Sequence, residues 1–279
     1  MPEILIIGGV TLDRLHFGGR SAEMPGGAGL YTALAAARAG AEVTLFAQRP
    51  ALLPAALQPI DQIIRWIGPL IRMEELPRLE IVHHGGGRAE LKRADWGAQP
   101  SLSVAMLPAQ ISSYQIVHIA ALGPSRKQLE FLDFLRAETR ARLSAGTYGM
   151  AAHGETDLVR RLLSKSDLFF MNENECRALY GAPEKVPAGS GQKIFVTMGA
   201  YGAWGITPKQ RLHIPAKTAD ELDPTGAGDT FCGAVLAVLL QGAGLTTAME
   251  RGVQLAAAVV QGVGPEKLMA GASGFNALE

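Results

Sequence analysis

The chain opens on Ile4-Leu5-Ile6-Ile7, an unbroken apolar run stopped by Gly8-Gly9. Four apolar residues in succession, with no alternation, predict a strand covered on both faces, as in a parallel sheet. After Gly26-Gly27 an Ala-rich stretch from Leu30 to Ala39 ends at Gly40. It predicts a helix that starts near Gly27 and stops at a glycine cap. Val43 to Phe46 reads as the next strand. The alternation continues with Ile116 to Ile119 as a strand, Lys127 to Leu143 as a helix, Leu168 to Met171 as a strand, Glu173 to Tyr180 as a helix and Ile194 to Thr197 as a strand. Strands and helices in that order predict an α/β fold, a mainly parallel sheet between helix layers.

Two regions depart from the pattern. Between Leu79 and Ala94, Glu80-Ile81-Val82-His83-His84 and Arg88-Ala89-Glu90-Leu91-Lys92 flank Gly85-Gly86-Gly87, which predicts a hairpin. Two strands alone are marginal, so this one is expected to lean on something else, either as a lid over a site or as a surface ornament. The last third holds two apolar segments, Thr230 to Leu240 and Thr246 to Val260. The first is apolar nearly all round and is expected to be a buried helix.

Composition narrows the function classes. Of the 279 residues, Lys+Arg and Asp+Glu number 26 each, so net charge suggests neither a nucleic acid nor an anionic membrane as partner. Cys176 and Cys232 show no metal or redox spacing, which suits a reducing compartment. The N-terminus carries no positive leader or cleavage site, and no apolar run approaches the ~18–20 residues that cross a bilayer. The expectation is a cytoplasmic protein.

Chemistry concentrates in Asp223-Pro224-Thr225-Gly226-Ala227-Gly228-Asp229, directly before the apolar helix. Glycines at 226 and 228 let successive N–H groups converge, and the helix N-terminus adds its positive end, making an anion hole of the 226–228 backbone. Phosphoryl transfer is helped chiefly by positioning and electrostatics. Asp229, in the first turn, is placed to accept a hydroxyl proton; an ordinary N-cap Asp is the bland alternative.

That seven-residue motif resembles the signature of the PfkB (ribokinase-like) carbohydrate kinases, and further likenesses follow in the family's order along nearly the whole chain. The resemblance implies a ribokinase-like three-layer α/β/α domain over 1–279, with a small β-lid from about 12–25 and 79–95. It implies an ATP-dependent kinase of a sugar or sugar-like molecule, with ATP and Mg2+ required. Gly8-Gly9-Val10-Thr11-Leu12-Asp13 resembles the first strand and the Asp that holds substrate hydroxyls. Gly26-Gly27-Ala28-Gly29-Leu30-Tyr31 resembles the element where bare backbone lets the sugar approach. Here Tyr31 stands where members such as ribokinase usually carry Asn, so its ring either stacks on the substrate or packs in the core.

Asn172-Glu173-Asn174-Glu175 is similar to the family's Asn-x-x-Glu around magnesium and its waters, and also fits a helix capping box. Val196 to Gly202 resembles the nucleotide-side turn, which implies Thr197, Gly199 and Gly202, with Thr225, near ATP. The same likeness implies a monovalent cation, commonly potassium, at Asp223 and Thr225, and a lid that can serve as a homodimer contact. Departures fall at Gln48-Arg49-Pro50 and Ser144 to Thr147, where family motifs are missing.

Other readings are weaker. Gly8 to Asp13 lacks the spacing of a dinucleotide fingerprint, no Walker loop occurs, and adjacent His83-His84, pointing to opposite faces, read as solvated side chains rather than metal ligands. A sugar- or nucleotide-binding sensor without turnover is the rival from another class, against which an intact Asp229 speaks. Nucleoside and inositol-type acceptors stay open beside sugars. A sugar phosphate would need a basic clamp, for which Arg88, Lys92 and Arg93 are the candidates.

Overall fold

The computed structural model describes residues 3–85 and 88–271. In chain order, β1 (Glu3–Ile7) leads to the hairpin β2 (Thr11–Phe17) and β3 (Arg20–Gly26), then α1 (Ala28–Arg38) and β4 (Glu42–Phe46). Short strands β5 (Arg49–Pro50), β6 (Arg65–Ile67) and β7 (Leu70–Ile71) precede a second hairpin, β8 (Arg78–Gly85) and β9 (Arg88–Asp95). Then follow β10 (Ile116–Ile119), α2 (Ser125–Glu138), β11 (Arg142–Gly146), α3 (Gly149–Gly154), α4 (Thr156–Lys165), β12 (Leu168–Asn172) and α5 (Glu173–Tyr180). The chain closes with β13 (Lys193–Thr197), β14 (Ala203–Ile206), β15 (Arg211–Ile214), α6 (Ala227–Leu240), α7 (Leu245–Val259) and α8 (Glu266–Met269).

Nine strands form one sheet in the order β15-β14-β13-β12-β11-β10-β1-β4-β6. From β6 to β13 every neighbour is parallel, and β14 and β15 add an antiparallel edge. The opening apolar run is the cause: Ile4 to Ile7 are all fully buried because helices cover both faces. One face packs α1, α6 and α7, the other Phe131, Leu132, Leu162 and Leu163 from α2 and α4. The chain runs outward from β1 to β4 and then returns to β10 on β1's other side. In such sheets ligands settle off the carboxyl ends of the strands at that switch point.

The second sheet, β3-β2-β8-β9, supplies what the Leu79–Ala94 hairpin leans on. β2 pairs with β8 in parallel, Leu15 opposite Ile81. The two hairpins thus form the small β-lid, and Asp13 lies within β2 rather than in a turn after β1. Gly86 and Gly87 of the expected turn lie outside the described residues.

One expected element was wrong. The helix read as Lys127 to Leu143 ends at Glu138, and Arg142–Gly146 is strand β11. Leu143, Ser144 and Ala145 are fully buried between β10 and β12. A continuous sheet needs a strand in that slot, and this tertiary demand outweighs the local helical pattern.

The apolar helix behaves as its sequence demands, with Thr230 to Leu239 buried and α1 and α7 packed alongside. A Cβ built on Gly233 would come within 2.1 Å of the Thr32 carbonyl oxygen on α1, so only glycine permits this approach. Gly233→Val is expected to destabilise the fold by about 3 kcal/mol. Gly149→Ala, with nothing within 4 Å of the added methyl, should change stability by less than ~0.5 kcal/mol. Urea unfolding of the two variants checks the contrast.

Candidate active site

Gly226 is the hinge on which the site is built. Its φ of 73° is left-handed, and as N-cap it turns the chain into α6. Even a methyl group there would come within 2.3 Å of the Tyr31 ring. The amides of a helix's first turn have no intrahelical acceptor. Of the three expected in the anion hole, Ala227 turns its N–H back onto the Pro224 carbonyl at 3.3 Å. Gly226, Ala227 and Gly228 all line the cleft.

That cleft, about 250 Å3, lies off the carboxyl ends of β10, β11, β12 and β13. Ala120, Gly146, Asn172 and Thr197 line it from the sheet, and Gly226, Gly228, Asp229 and Cys232 line it from α6. Thus Asp229, Asn172, Glu175, Thr197 and the anion-hole glycines, far apart in sequence, converge on one volume.

Burial pushes the Asp229 carboxyl up to about 7. Glu175, also lining the cleft, is raised to about 7 by burial first, and the charge of Asp229 adds to the shift. Asn172 and Glu175 form the anticipated capping box: Glu175 N–H donates to Asn172 Oδ1 at 2.9 Å, and Asn172 N–H donates to Glu175 Oε2 at 2.8 Å. Two carboxyls that resist ionisation beside each other suit a divalent cation, whose charge would favour both anions. Among the described residues no group of three His, Cys, Asp or Glu could cage a metal. A water-rich Mg2+ held mainly by phosphates, with Asn172 and Glu175 behind its waters, fits that donor set.

The acceptor-side residues lie elsewhere. Asp13, 2 % exposed, accepts the Leu79 N–H at 3.1 Å, and burial raises its carboxyl to about 7 despite that bond. Gly26 is packed so closely that an added Cβ would sit 2.0 Å from Asp13 Oδ2, and Gly27 lies against the Gly9 carbonyl. Tyr31 is buried, packed beneath Gly226, and burial followed by the charges of Asp223, Asp13 and Asp229 raises its hydroxyl well above the usual range. The ring thus takes the core position of its two alternatives. None of these four lines the cleft, although Ala28, at the start of α1, does.

The nucleotide-side turn divides. Thr197 lines the cleft, whereas Gly202 (φ 98°) is a buried turn residue against Ile214 and Gly199 (φ 55°) is exposed. Asp223 is 2 % exposed; its Oδ1 accepts the Thr225 N–H at 2.8 Å and its Oδ2 the Gly264 N–H at 2.7 Å. His83 Nε2 also faces Oδ1, at 3.3 Å. Each Asp223 oxygen accepts one backbone N–H and keeps a further lone pair, so the carboxylate retains the donor capacity that the expected potassium ion would need. This contact corrects the reading of His83 as solvated: its side chain is 4 % exposed, while His84 is open and faces Glu90 at 3.1 Å. On β9, Lys92 is paired with Glu90 at 2.7 Å and Arg93 is exposed, so neither forms a clamp over the site. The side chain of Arg88 falls outside the described residues.

His118 and Cys232 were overlooked in the sequence. Both line the cleft, and His118 Nδ1 lies 2.8 Å from Ser144 Oγ, with Cys232 Sγ 3.7 Å from Nε2. Burial drops His118 to about 3, so the imidazole is neutral. The signal was available: a lone His inside the apolar strand Ile116-Val117-His118-Ile119, and a Cys three residues after Asp229, on its face of the helix.

The model of the pfkB family carbohydrate kinases matches residues 98–269. The chain belongs to that family. As a member it is a phosphotransferase, and its fold is shared by the ribokinase of Cryptococcus neoformans solved with ADP. That structure has a TM-score of 0.80 at 19 % identity, over 96 % of this chain and 97 % of the other. Among curated proteins, the cytidine kinase of Thermococcus kodakarensis is 27 % identical over 94 % of this chain and 97 % of its own. The deoxyribokinase of Salmonella typhi is 32 % identical over 40 % of each.

The raised Asp229 carboxyl has a stability consequence. A folded-state value of about 7 against 3.8 means the folded protein holds the proton more tightly, so stability falls as pH rises from about 4 through 7. The substitution Asp229→Asn removes that loss. The variant is expected to melt at least ~3 °C above wild type at pH 8, with the gap closing towards pH 4; thermal melts across pH check it.

Proposed function

We propose that this kinase transfers the γ-phosphoryl group of ATP to a hydroxyl on the sugar of a nucleoside, with Asp229 as the general base. The observation that carries the reading is the meeting, in one cleft, of a carboxyl poised near neutrality with the left-handed Gly226 turn at the mouth of α6. In its anionic form Asp229 takes the proton of the acceptor O–H. The freed oxygen bonds to phosphorus, the bond from phosphorus to the bridging oxygen breaks, and ADP departs with that electron pair. Charge on the equatorial oxygens of the migrating group is met by the N–H groups of Gly226 and Gly228.

Asn172 and Glu175 are assigned to the waters of Mg2+, which when bound neutralises phosphate charge. Thr197, with Gly199 and Gly202 shaping its turn, is assigned to the nucleotide. Asp13 and the bare backbone of Gly26 and Gly27, under the lid, are assigned to the acceptor, with Tyr31 as the buried wall between that side and Asp229. Opening space there requires the lid to move, as gating lids do. Closure then excludes water that would otherwise take the phosphoryl group.

Nucleoside is favoured over free sugar because the relative matched along nearly its full length is a cytidine kinase. A free pentose is the second reading, favoured by the higher identity of the shorter deoxyribokinase match. The absence of a clamp from Lys92 or Arg93 speaks against a phosphorylated acceptor.

ADP release measured with cytidine, adenosine, ribose, 2-deoxyribose, fructose and inositol separates these readings. A nucleoside is expected to give a kcat/KM at least ~10-fold above any free sugar, a difference that one or two buried polar contacts supply. A pentose or inositol ranking first would contradict the nucleoside assignment. Asp229→Asn should keep ATP binding and lose at least ~100-fold in transfer; equal rates would remove Asp229 from the mechanism.

A further inference from the structure

A buried polar side chain of the lid, His83, reaches the 223–229 loop. Alternation along β8 puts Ile81 and His83 on the same face. Ile81 joins Leu15, Met24 and Val263 in a small apolar cluster, so that face is the one docked on the body. Two residues on, His83 points its Nε2 at Asp223 Oδ1, 3.3 Å away, and at Thr225 Oγ1, 3.5 Å away. The Asp223 carboxylate binds the Thr225 N–H and, through its other oxygen, the Gly264 N–H. Thr225 directly precedes Gly226, whose left-handed turn sets the anion hole and the first turn that carries Asp229. One contact therefore runs from lid strand to carboxylate to the backbone of the catalytic loop. Gly264, beside Val263, closes the circuit back to the lid: a Cβ built there would meet Met24 at 3.0 Å.

Packing alone does not account for a histidine at this position. His83 Nδ1 is buried without a hydrogen-bond partner, a penalty that an apolar side chain of similar size would avoid. The imidazole is held by what its Nε2 reaches, and that is the loop.

We propose that His83 is a positioning residue: with its Nε2 set against Asp223 and Thr225 it latches the lid onto the 223–229 loop, so that the anion hole is set only when the lid is down. Lid closure and catalytic alignment then become one event, which limits transfer of the phosphoryl group to water. The proposal rests on the phosphotransferase reading of the same site, but one of its tests does not depend on catalysis.

The experiment compares His83→Leu, which fills the space without a donor, with His83→Gln, which keeps an N–H within reach. Hydrogen exchange of the lid and loop amides reads the latch whatever the acceptor is. His83→Leu is expected to exchange at least ~10-fold faster over 11–17, 78–84 and 223–228 at unchanged global stability, on the scale of a lost buried contact. In the presence of the best acceptor from the screen, the ratio of ADP formed to acceptor phosphorylated should rise from near one to about three or more, with KM for ATP within about twofold of wild type. His83→Gln should restore most of the protection and the ratio. Wild-type exchange and a wild-type ratio in His83→Leu would overturn the latch. If His83→Leu prevents folding, His83→Gln is compared with the shorter His83→Asn: protection in the first and not in the second supports the latch, and equal exchange in both overturns it. Faster exchange with no kinase activity in wild type would leave the contact standing and sink the transferase reading instead.

Discussion

Keeping a carboxylate ionised inside a protein is unfavourable unless something nearby welcomes the charge, and the catalytic half of this structure is organised around that constraint. Asp229 stands in the first turn of a helix that is otherwise almost wholly apolar and buried. Burial raises both Asp229 and its neighbour Glu175 to about 7, with the charge of Asp229 adding to the shift of Glu175. In the proposed mechanism the Asp229 carboxyl, held near neutrality, is the group that accepts the acceptor's proton. The same apolar helix that makes the carboxyl hard to ionise also presents unpaired amides at its mouth, where the migrating group carries its negative charge. The proposed base and the proposed anion hole are thus two results of one helix being driven into the core.

The sheet places that helix mouth where substrates can reach it. Because β1 is central and the chain switches sides after it, the strand ends of β10 to β13 leave a hollow, and the turn into α6 closes it. Small residues make the approach feasible: Gly233 lets α6 lie against α1, and Gly226 leaves room for the ring of Tyr31. His83 on the lid lies 3.3 Å from Asp223, so the strand proposed to cover the acceptor and the loop proposed to stabilise the transferred group meet at a buried carboxylate.

Much of this was legible before the structure. An unbroken apolar run marked β1 and another β12, mostly apolar runs marked β10 and β13, glycine punctuation marked the start of α1, and the 223–229 motif marked the loop that lines the cleft. Local signals failed where tertiary context decided. Residues 139–143 continue a helix-like pattern, yet Leu143 fills a slot in the sheet. His83 was read by the rule that adjacent strand residues face opposite ways, which holds for the pair but does not say which of the two meets the body. His118 stands out in its apolar strand, but its partner, Ser144, lies on β11, a strand that the sequence concealed. Long-range pairing of this kind leaves no periodic trace.

The central claim is that Asp229 must lose its proton before the acceptor can be phosphorylated. Single-turnover transfer from enzyme-bound ATP, followed by rapid quench from pH 5 to 9, tests it most directly. The account predicts a rate that climbs with pH as Asp229 ionises and then levels off, the carboxyl standing at about 7 before nucleotide binds. A rate independent of pH from 5 to 9, or one that falls as pH rises, would contradict the assignment of Asp229 as the base.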